Sequence, residues 1–215
     1  MPDLGDTEAM PTAVVPMKTM DLAKSRLAAA LDPARRGALA RRMLSHVLEI
    51  LGDSPVAEVC MASDDLEAQV VAAKFGARAI KGVGDADLNA ACTIAARAVQ
   101  EGGATDLLLV MADLPYLTRD DIAALVAAGR QSAVVIAEAK DGGTNALLLR
   151  PPTVLPFAFA TNQPSAQLHA QLARKAGIEP IIVQRPGLAR DIDTPADLTA
   201  LAADHPAYQM FRHVA

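Results

Sequence analysis

Tryptophan is absent from the 215 residues, and aromatic side chains of all kinds reach only 3%. The core must therefore be built from Ala, Leu, Val, Ile and Met, and a platform on which successive nucleobases stack is excluded. Cysteine occurs twice, at Cys60 and Cys92, far apart in apolar stretches and outside any CxxC pair. That pattern gives no zinc site, and thiols acting as small hydrophobes point to a reducing, cytoplasmic location. No apolar run approaches the ~18 residues that span a bilayer, and the acidic opening MPDLGDTEAM has no secretory h-region. A frayed tail is expected over residues 1–11, then one domain over 12–215. Basic excess is missing too. A net charge of −5 cannot grip a nucleic-acid backbone, so any bound anion is expected to be small and held by a local site. GxxxxGK[ST], GxGxxG after a strand and GxSxG are all lacking, and several familiar enzyme classes go with them.

What is present is alternation. Short apolar runs at 13–15, 59–62, 77–80, 107–111, 133–137, 146–149 and 181–183 read as strands, and helical patterns lie between most of them. This is the order of helices packed on a largely parallel sheet. Leu39, Met43, Val47 and Leu51, with Leu44 and Leu48 beside them, form the apolar stripe of a helix that covers a sheet. Asp32 before Pro33, Thr118 with Asp121, and Thr194 before Pro195 are helix starts. No repeat or flexible linker divides the chain. The least regular stretch is 151–164, with four prolines.

Charged and polar residues collect where strands end. The segment VVPMKTMDLAKSRL carries Lys18, Lys24 and Arg26 just past the first strand, where cations can meet a polyphosphate; a plain solvated turn is the bland reading. Asp113 follows the buried run LLLVMA, the place for a carboxylate that binds a hard cation, although Asp is also a common turn residue. Asp191 and Asp193 alternate around Ile192, so an extended backbone puts both carboxylates on one face, where they repel unless a cation or proton intervenes. DGGTN, residues 141–145, offers glycine amides that suit a phosphate or carboxylate, or simply a hairpin. Ser165 opens a helix at whose N-terminus an anion is favoured. His169, one turn on, reads as a packing residue. Gly82, Gly84 and Asn89 form a weak glycine pattern at a pocket wall, and Leu88 and Cys92 share a helix face nearby. Together these features suit phosphoryl-type transfer, in which positioning and charge neutralisation do most of the catalysis.

Taken in order, VVPMKTMDLAKSRL, MASDD, GDADLNAAC, ADLPYLT, DGGTNALLLRPP and LARDIDTPADL resemble the 2-phospho-L-lactate/phosphoenolpyruvate guanylyltransferase family (CofC/FbiD) of coenzyme F-420 biosynthesis. The resemblance runs almost end to end. It implies a Rossmann-like α/β nucleotidyltransferase fold of three layers, like nucleotide-diphospho-sugar transferases, with a mixed, mostly parallel sheet. It also implies that GTP gives GMP to the phosphate of a small phosphorylated carboxylic acid and releases pyrophosphate. On that basis Asp113, Asp191 and Asp193 hold Mg²⁺, while Lys18, Lys24 and Arg26 neutralise the triphosphate. Thr144 and Ser165 seat the acceptor, and Ser63, Asp64 and Asn89 line the guanosine pocket. FATNQPS, residues 159–165, departs from the family's shorter glycine turn, which leaves phosphoenolpyruvate, 2-phospho-L-lactate and 3-phosphoglycerate open as acceptors. Neither nucleic acid nor membrane is an expected partner, and a homodimer is left open. The alternatives are a nucleotidyltransferase for a molybdopterin or sugar phosphate, and a nucleotide-binding module without catalysis.

Overall fold

In the computed structural model, which describes residues 10–20, 24–84, 87–159 and 162–211, the apolar runs become strands of one sheet. They are β1 (Thr12–Pro16), β2 (Glu58–Ala62), β3 (Arg78–Ile80), β4 (Leu107–Val110), β5 (Val134–Glu138), β6 (Thr144–Leu149) and β7 (Ile181–Val183). The amphipathic segments become α1 (Pro33–Gly52), α2 (Leu66–Lys74), α3 (Leu88–Glu101), α4 (Arg119–Ala128), α5 (Ser165–Lys175) and α6 (Pro195–Asp204). The strand order is β3-β2-β1-β4-β6-β5-β7. Among the described strands, β6 runs antiparallel to both neighbours, and the other pairings are parallel. This is the mixed, mostly parallel sheet that the sequence predicts.

Alternation along each strand sorts the core into two sides. Val15, Met61, Leu108, Val110, Ala146 and Leu148 pack with Leu44, Val47 and Leu48 of α1 and with Ile122 and Leu125 of α4. On the other side Val14, Cys60, Leu109, Leu147 and Leu149 meet Cys92, Ala95 and Val99 of α3 and Ala166, Ala170 and Ala173 of α5. Each fully buried leucine contributes about 1.5–3 kcal/mol, so the three layers need no aromatic centre.

A smaller third cluster matters more for the site. Leu27, Leu31, Leu39, Met43, Ile192, Leu198 and Leu201 are buried together, closed by Tyr208 and Phe211 of a terminal 3₁₀ turn (Pro206–Phe211). Leu27 belongs to the loop that carries Lys24 and Arg26, and Ile192 separates Asp191 from Asp193. Burial of these two apolar residues brings the cationic and anionic segments together.

The helix starts follow the sequence closely. Asp32 accepts from the Arg35 N–H, Asp65 from those of Glu67 and Ala68, and Thr118–Asp121 and Thr194–Asp197 form capping boxes. Two features differ from expectation. The terminal 3₁₀ turn has no clear sequence signal, and β6 begins at Thr144, two residues before the apolar run. Most of the tail expected over 1–11 lies outside the described residues; Pro11 is buried and accepts from the Ala57 N–H at 3.0 Å. No described helix is long and apolar enough to cross a membrane.

Candidate active site

Asp113 lies three residues beyond β4, at the carboxyl end of the parallel strands, where open α/β sheets bind their ligands. Asp191 and Asp193 lie in the loop between β7 and α6. The extended DID segment turns Ile192 inward, at 1% exposure, and leaves both carboxylates half-buried. One oxygen from each of Asp113, Asp191 and Asp193 falls within 4.8 Å of the others. Three carboxylates this close repel one another. Asp191 records the strain: burial, then the charges of Asp113 and Asp193, push its carboxyl up to about 6 from 3.8. A hard divalent cation takes oxygen ligands of this type, so these residues fit one on donor chemistry and on the repulsion that Asp191 still carries.

Lys24 reaches into the same cluster. Its ammonium pairs with Asp113 Oδ2 and lies 2.9 Å from Asp193 Oδ1, and its side chain is only 8% exposed. Burial opposes the charge, but the two aspartates override that effect and hold the ammonium above its ordinary range. The backbone of Lys24 is left-handed, with φ 57° and ψ 38°. A non-glycine residue there is uncommon and costs ~1–3 kcal/mol, which the surrounding contacts must offset. Arg26, mostly exposed, donates to Asp193 Oδ2 at 2.8 Å. Lys18 is also exposed. Lys18, Lys24, Arg26, Asp113 and Asp193 line one cleft of about 280 Å³, whose apolar wall includes Met43 and Leu88. Asp191 opens instead onto an adjoining cleft, shared with Arg26 and Asp193 and bordered by Lys140 and Arg190. The carboxylates therefore stand on the partition between two cavities.

Thr144 and Ser165 line neither of these clefts; both are buried at α5, and Thr144 comes there through an irregularity. On β5, Ala137 pairs with Ala146, but Glu138 pairs with Thr144, so Asn145 is passed over as a bulge. Strict alternation puts Thr144 on the same side as Ala146 and Leu148; the bulge turns it toward α5, the side of Leu147 and Leu149. There its Oγ1 lies 3.0 Å from His169 Nδ1 and accepts from Ser165 Oγ at 3.1 Å. The bulged Asn145 donates from Nδ2 to the Leu188 carbonyl at 2.9 Å, and its own carbonyl accepts from the Met111 N–H. It thereby ties β6 both to the strand leading into Asp113 and to the loop leading into Asp191. The glycine amides of DGGTN are occupied internally. Gly142 N–H donates to Ala139 O, and Gly143 N–H to Asp141 Oδ1 at 2.8 Å, so this loop shapes the site rather than offering a free anion nest.

Ser63, Asp64 and Asn89 do not line the cleft that holds Lys18 and Lys24. Ser63 is buried, and its Oγ accepts from the Asp65 N–H. Asp64 accepts from the amides of Gly82 and Gly84 and so fixes the conformation of that glycine loop. Asn89 uses both ends of its amide on one backbone unit: Oδ1 accepts from Phe159 N–H at 2.7 Å, and Nδ2 donates to Phe159 O at 3.1 Å. It holds the start of the FATNQPS stretch against α3. Two contributors escape sequence reasoning. Asp65, besides capping α2, accepts from the Met20 N–H at 2.8 Å and anchors the basic loop. His169 is fully buried and uses both ring nitrogens; its one available signal is the one-turn spacing from Ser165.

The sheet order, with carboxylates and a basic loop at the strand ends, is that of a nucleotidyltransferase. The solved structure of a 4-diphosphocytidyl-2C-methyl-D-erythritol synthase shares this fold, with a TM-score of 0.63 at 18% identity over 90% of this chain and 98% of that one. Residues 11–210 match the family described as "Guanylyl transferase CofC like", and the chain belongs to it. The phosphoenolpyruvate guanylyltransferase of Rubrobacter xylanophilus is 40% identical over 193 residues, covering 89% of this chain and 93% of that protein. The 3-phospho-D-glycerate guanylyltransferase of Phenylobacterium zucineum is 36% identical over 186 residues, covering 84% of each.

Proposed function

We propose that the protein transfers GMP from GTP to the phosphate of a small phosphorylated carboxylic acid, releasing pyrophosphate, as a step in coenzyme F-420 biosynthesis in the cytoplasm. Phosphoenolpyruvate heads the acceptors, ahead of 3-phosphoglycerate and 2-phospho-L-lactate, because relatives at about 40% identity carry its name. The observation that carries the reading is the buried ammonium of Lys24 set between Asp113 and Asp193, in a cleft that also holds Lys18 and Arg26. A binding module has no use for so crowded an arrangement of charge.

In the reaction a phosphate oxygen of the acid attacks the α-phosphorus of GTP. A new P–O bond forms, the α–β bridging bond breaks, and the electron pair leaves with pyrophosphate. The nucleophile is already an anion, so no general base is needed, and the work of the protein is alignment and neutralisation. Asp113, Asp191 and Asp193 would hold Mg²⁺, which supplies charge neutralisation for the phosphates. Lys18, Lys24 and Arg26 oppose the charge that accumulates on the leaving pyrophosphate. Thr144 and Ser165 receive the acceptor, while Ser63, Asp64 and Asn89 shape the guanosine side through the backbone they hold.

The test is an acceptor panel. Purified protein with GTP, Mg²⁺ and each of the three acids should release pyrophosphate with at least one, and mass analysis should find the guanylylated acid. Silence with all three overturns the reading.

A further inference from the structure

His169 sits at the centre of a hydrogen-bond chain whose polarity is fixed at one end. The Ala158 N–H, which can only donate, points at His169 Nε2 from 3.0 Å. That nitrogen must therefore be the acceptor, and the proton of a neutral ring must be on Nδ1. Nδ1–H in turn faces Thr144 Oγ1 at 3.0 Å, and Ser165 Oγ lies 3.1 Å from the same oxygen. Two hydroxyl protons serve this pair, and one is enough to link the two oxygens. The Ser165 carbonyl also faces the ring; with Nδ1 already carrying a proton, neither hydroxyl can donate to the ring, and the other hydroxyl proton is left to donate away from the pair. His169 is kept neutral by burial, which lowers its pKa to about 4.

The surroundings make the arrangement specific. Phe159 stacks edge-on against the imidazole with centroids 4.8 Å apart, and its backbone is clamped by Asn89. The ring therefore has little freedom to turn. Thr144 meets it only because the bulge at Asn145 redirects that side chain. A core needing filler alone would take a leucine here, without two directional bonds and without a strand irregularity to meet one of them.

We propose that His169 is a positioning residue that holds the Thr144–Ser165 pair in the donor state, so that one hydroxyl proton is always presented to an oxygen of the bound phosphoacid. This rests on the reading that Thr144 and Ser165 receive the acceptor. A donor fixed at that point bonds an anionic oxygen about twice as strongly as a neutral one, which favours phosphorylated acids over neutral alcohols. The histidine touches no reacting atom; it fixes which way a neighbour's hydrogen points.

Two substitutions separate the two ring nitrogens. His169→Asn places an amide N–H near the position of Nδ1 and can still donate to Thr144, whereas His169→Gln can satisfy Ala158 but leaves Thr144 without its inward donor. With the preferred acid from the panel, His169→Gln is expected to raise the KM for the acid about tenfold, with the KM for GTP changed less than about twofold. His169→Asn is expected to hold the acid KM within about threefold of the parent. Nitrogen NMR of the ¹⁵N-histidine-labelled parent reports the tautomer directly and needs no turnover. An Nδ1–H ring supports the donor state of the pair even if neither variant folds, and the acid KM of His169→Gln decides whether that donor meets the acid. A charged or Nε2–H ring at neutral pH, or an unchanged acid KM in a folded His169→Gln protein, overturns the proposal. Failure of the parent to use any acid is a separate result that strikes the proposed reaction and leaves the tautomer standing as the test of the histidine.

Discussion

Lys24 Nζ stands 2.9 Å from Asp193 Oδ1, although 169 residues separate the two in sequence. The same ammonium contacts Asp113, so one cation from the first loop holds carboxylates from the middle and the end of the chain. Lys24→Ala removes this link and the proposed phosphate partner together. Turnover at saturating GTP is expected to fall about 10²–10³-fold, the range for removing one preorganised charge or donor at a transition state. The thermal midpoint should fall less in the presence of Mg²⁺ than in its absence, because a cation can take over the aspartates. A variant that keeps near-parental turnover would return the loop to ordinary surface charge.

Asp113→Asn should abolish most activity while preserving the circular dichroism spectrum. Titration calorimetry is the direct check on the metal assignment, since the variant should bind Mg²⁺ or Mn²⁺ at least about tenfold more weakly. Unaltered metal affinity would remove Asp113 from the ligand set.

The raised carboxyl of Asp191, at about 6, gives that assignment a pH signature. In the cation-free protein the folded chain keeps this proton when the unfolded chain, with its carboxyl near 3.8, has released it. The contribution of Asp191 to stability therefore declines as pH rises through this window. A bound divalent cation reverses the penalty. The gain in thermal midpoint on adding Mg²⁺ should be larger near pH 7 than near pH 5, and an equal gain at both would contradict the clustering of the three charges.

His169 has the opposite slope. Its folded pKa of about 4 lies below the ordinary 6.5, so the unfolded chain takes up a proton first as the solution is acidified. The associated stability is fully present above about pH 6.5 and is lost as pH falls toward 4, amounting to at most about 3 kcal/mol. Denaturant midpoints measured across that range for the parent and for His169→Asn should converge at the acid end. Parallel curves would show that the ring is not held neutral.

Gly187 makes a prediction unrelated to chemistry. A Cβ at this position would lie 2.1 Å from Asp121 Oδ2 and 2.5 Å from the carbonyl oxygen of Tyr116. Asp121 cannot easily retreat, because it closes the Thr118 capping box and accepts from Arg185 at 2.9 Å. Gly187→Ala should lower unfolding free energy by about 2–4 kcal/mol in urea titrations, since backbone cannot yield as a side-chain tip can.

Much of this was readable from the chain because the relevant physics is local. Asp32, Thr118 and Thr194 cap helices using neighbours three residues away, and the stripe of α1 lies within one segment. Asp113, Asp191 and Asp193 stood out because carboxylates just beyond apolar runs have few structural reasons to be there. What stayed hidden depends on partners remote in sequence. Asn89 looked like a pocket residue, yet both ends of its amide meet the backbone of Phe159, 70 positions away. Asp64 meets the amides of a glycine loop. Backbone partners leave no mark on residue identity at the far end, so no pattern announces them. The early start of β6 was hidden for a related reason, because Asn145 breaks the alternation by which strands are recognised.

That broken alternation makes pairing register, and not only residue type, decide which layer Thr144 faces. Were Asn145 instead to pair regularly with Glu138, every later side chain of the strand would keep its place in the core. Thr144 would then change hemisphere, leaving Ser165 and His169 without the hydroxyl they now meet. The bulge is a parity device: it lets a strand serve an aliphatic interior along most of its length and still deliver a polar group to the opposite face at its tip.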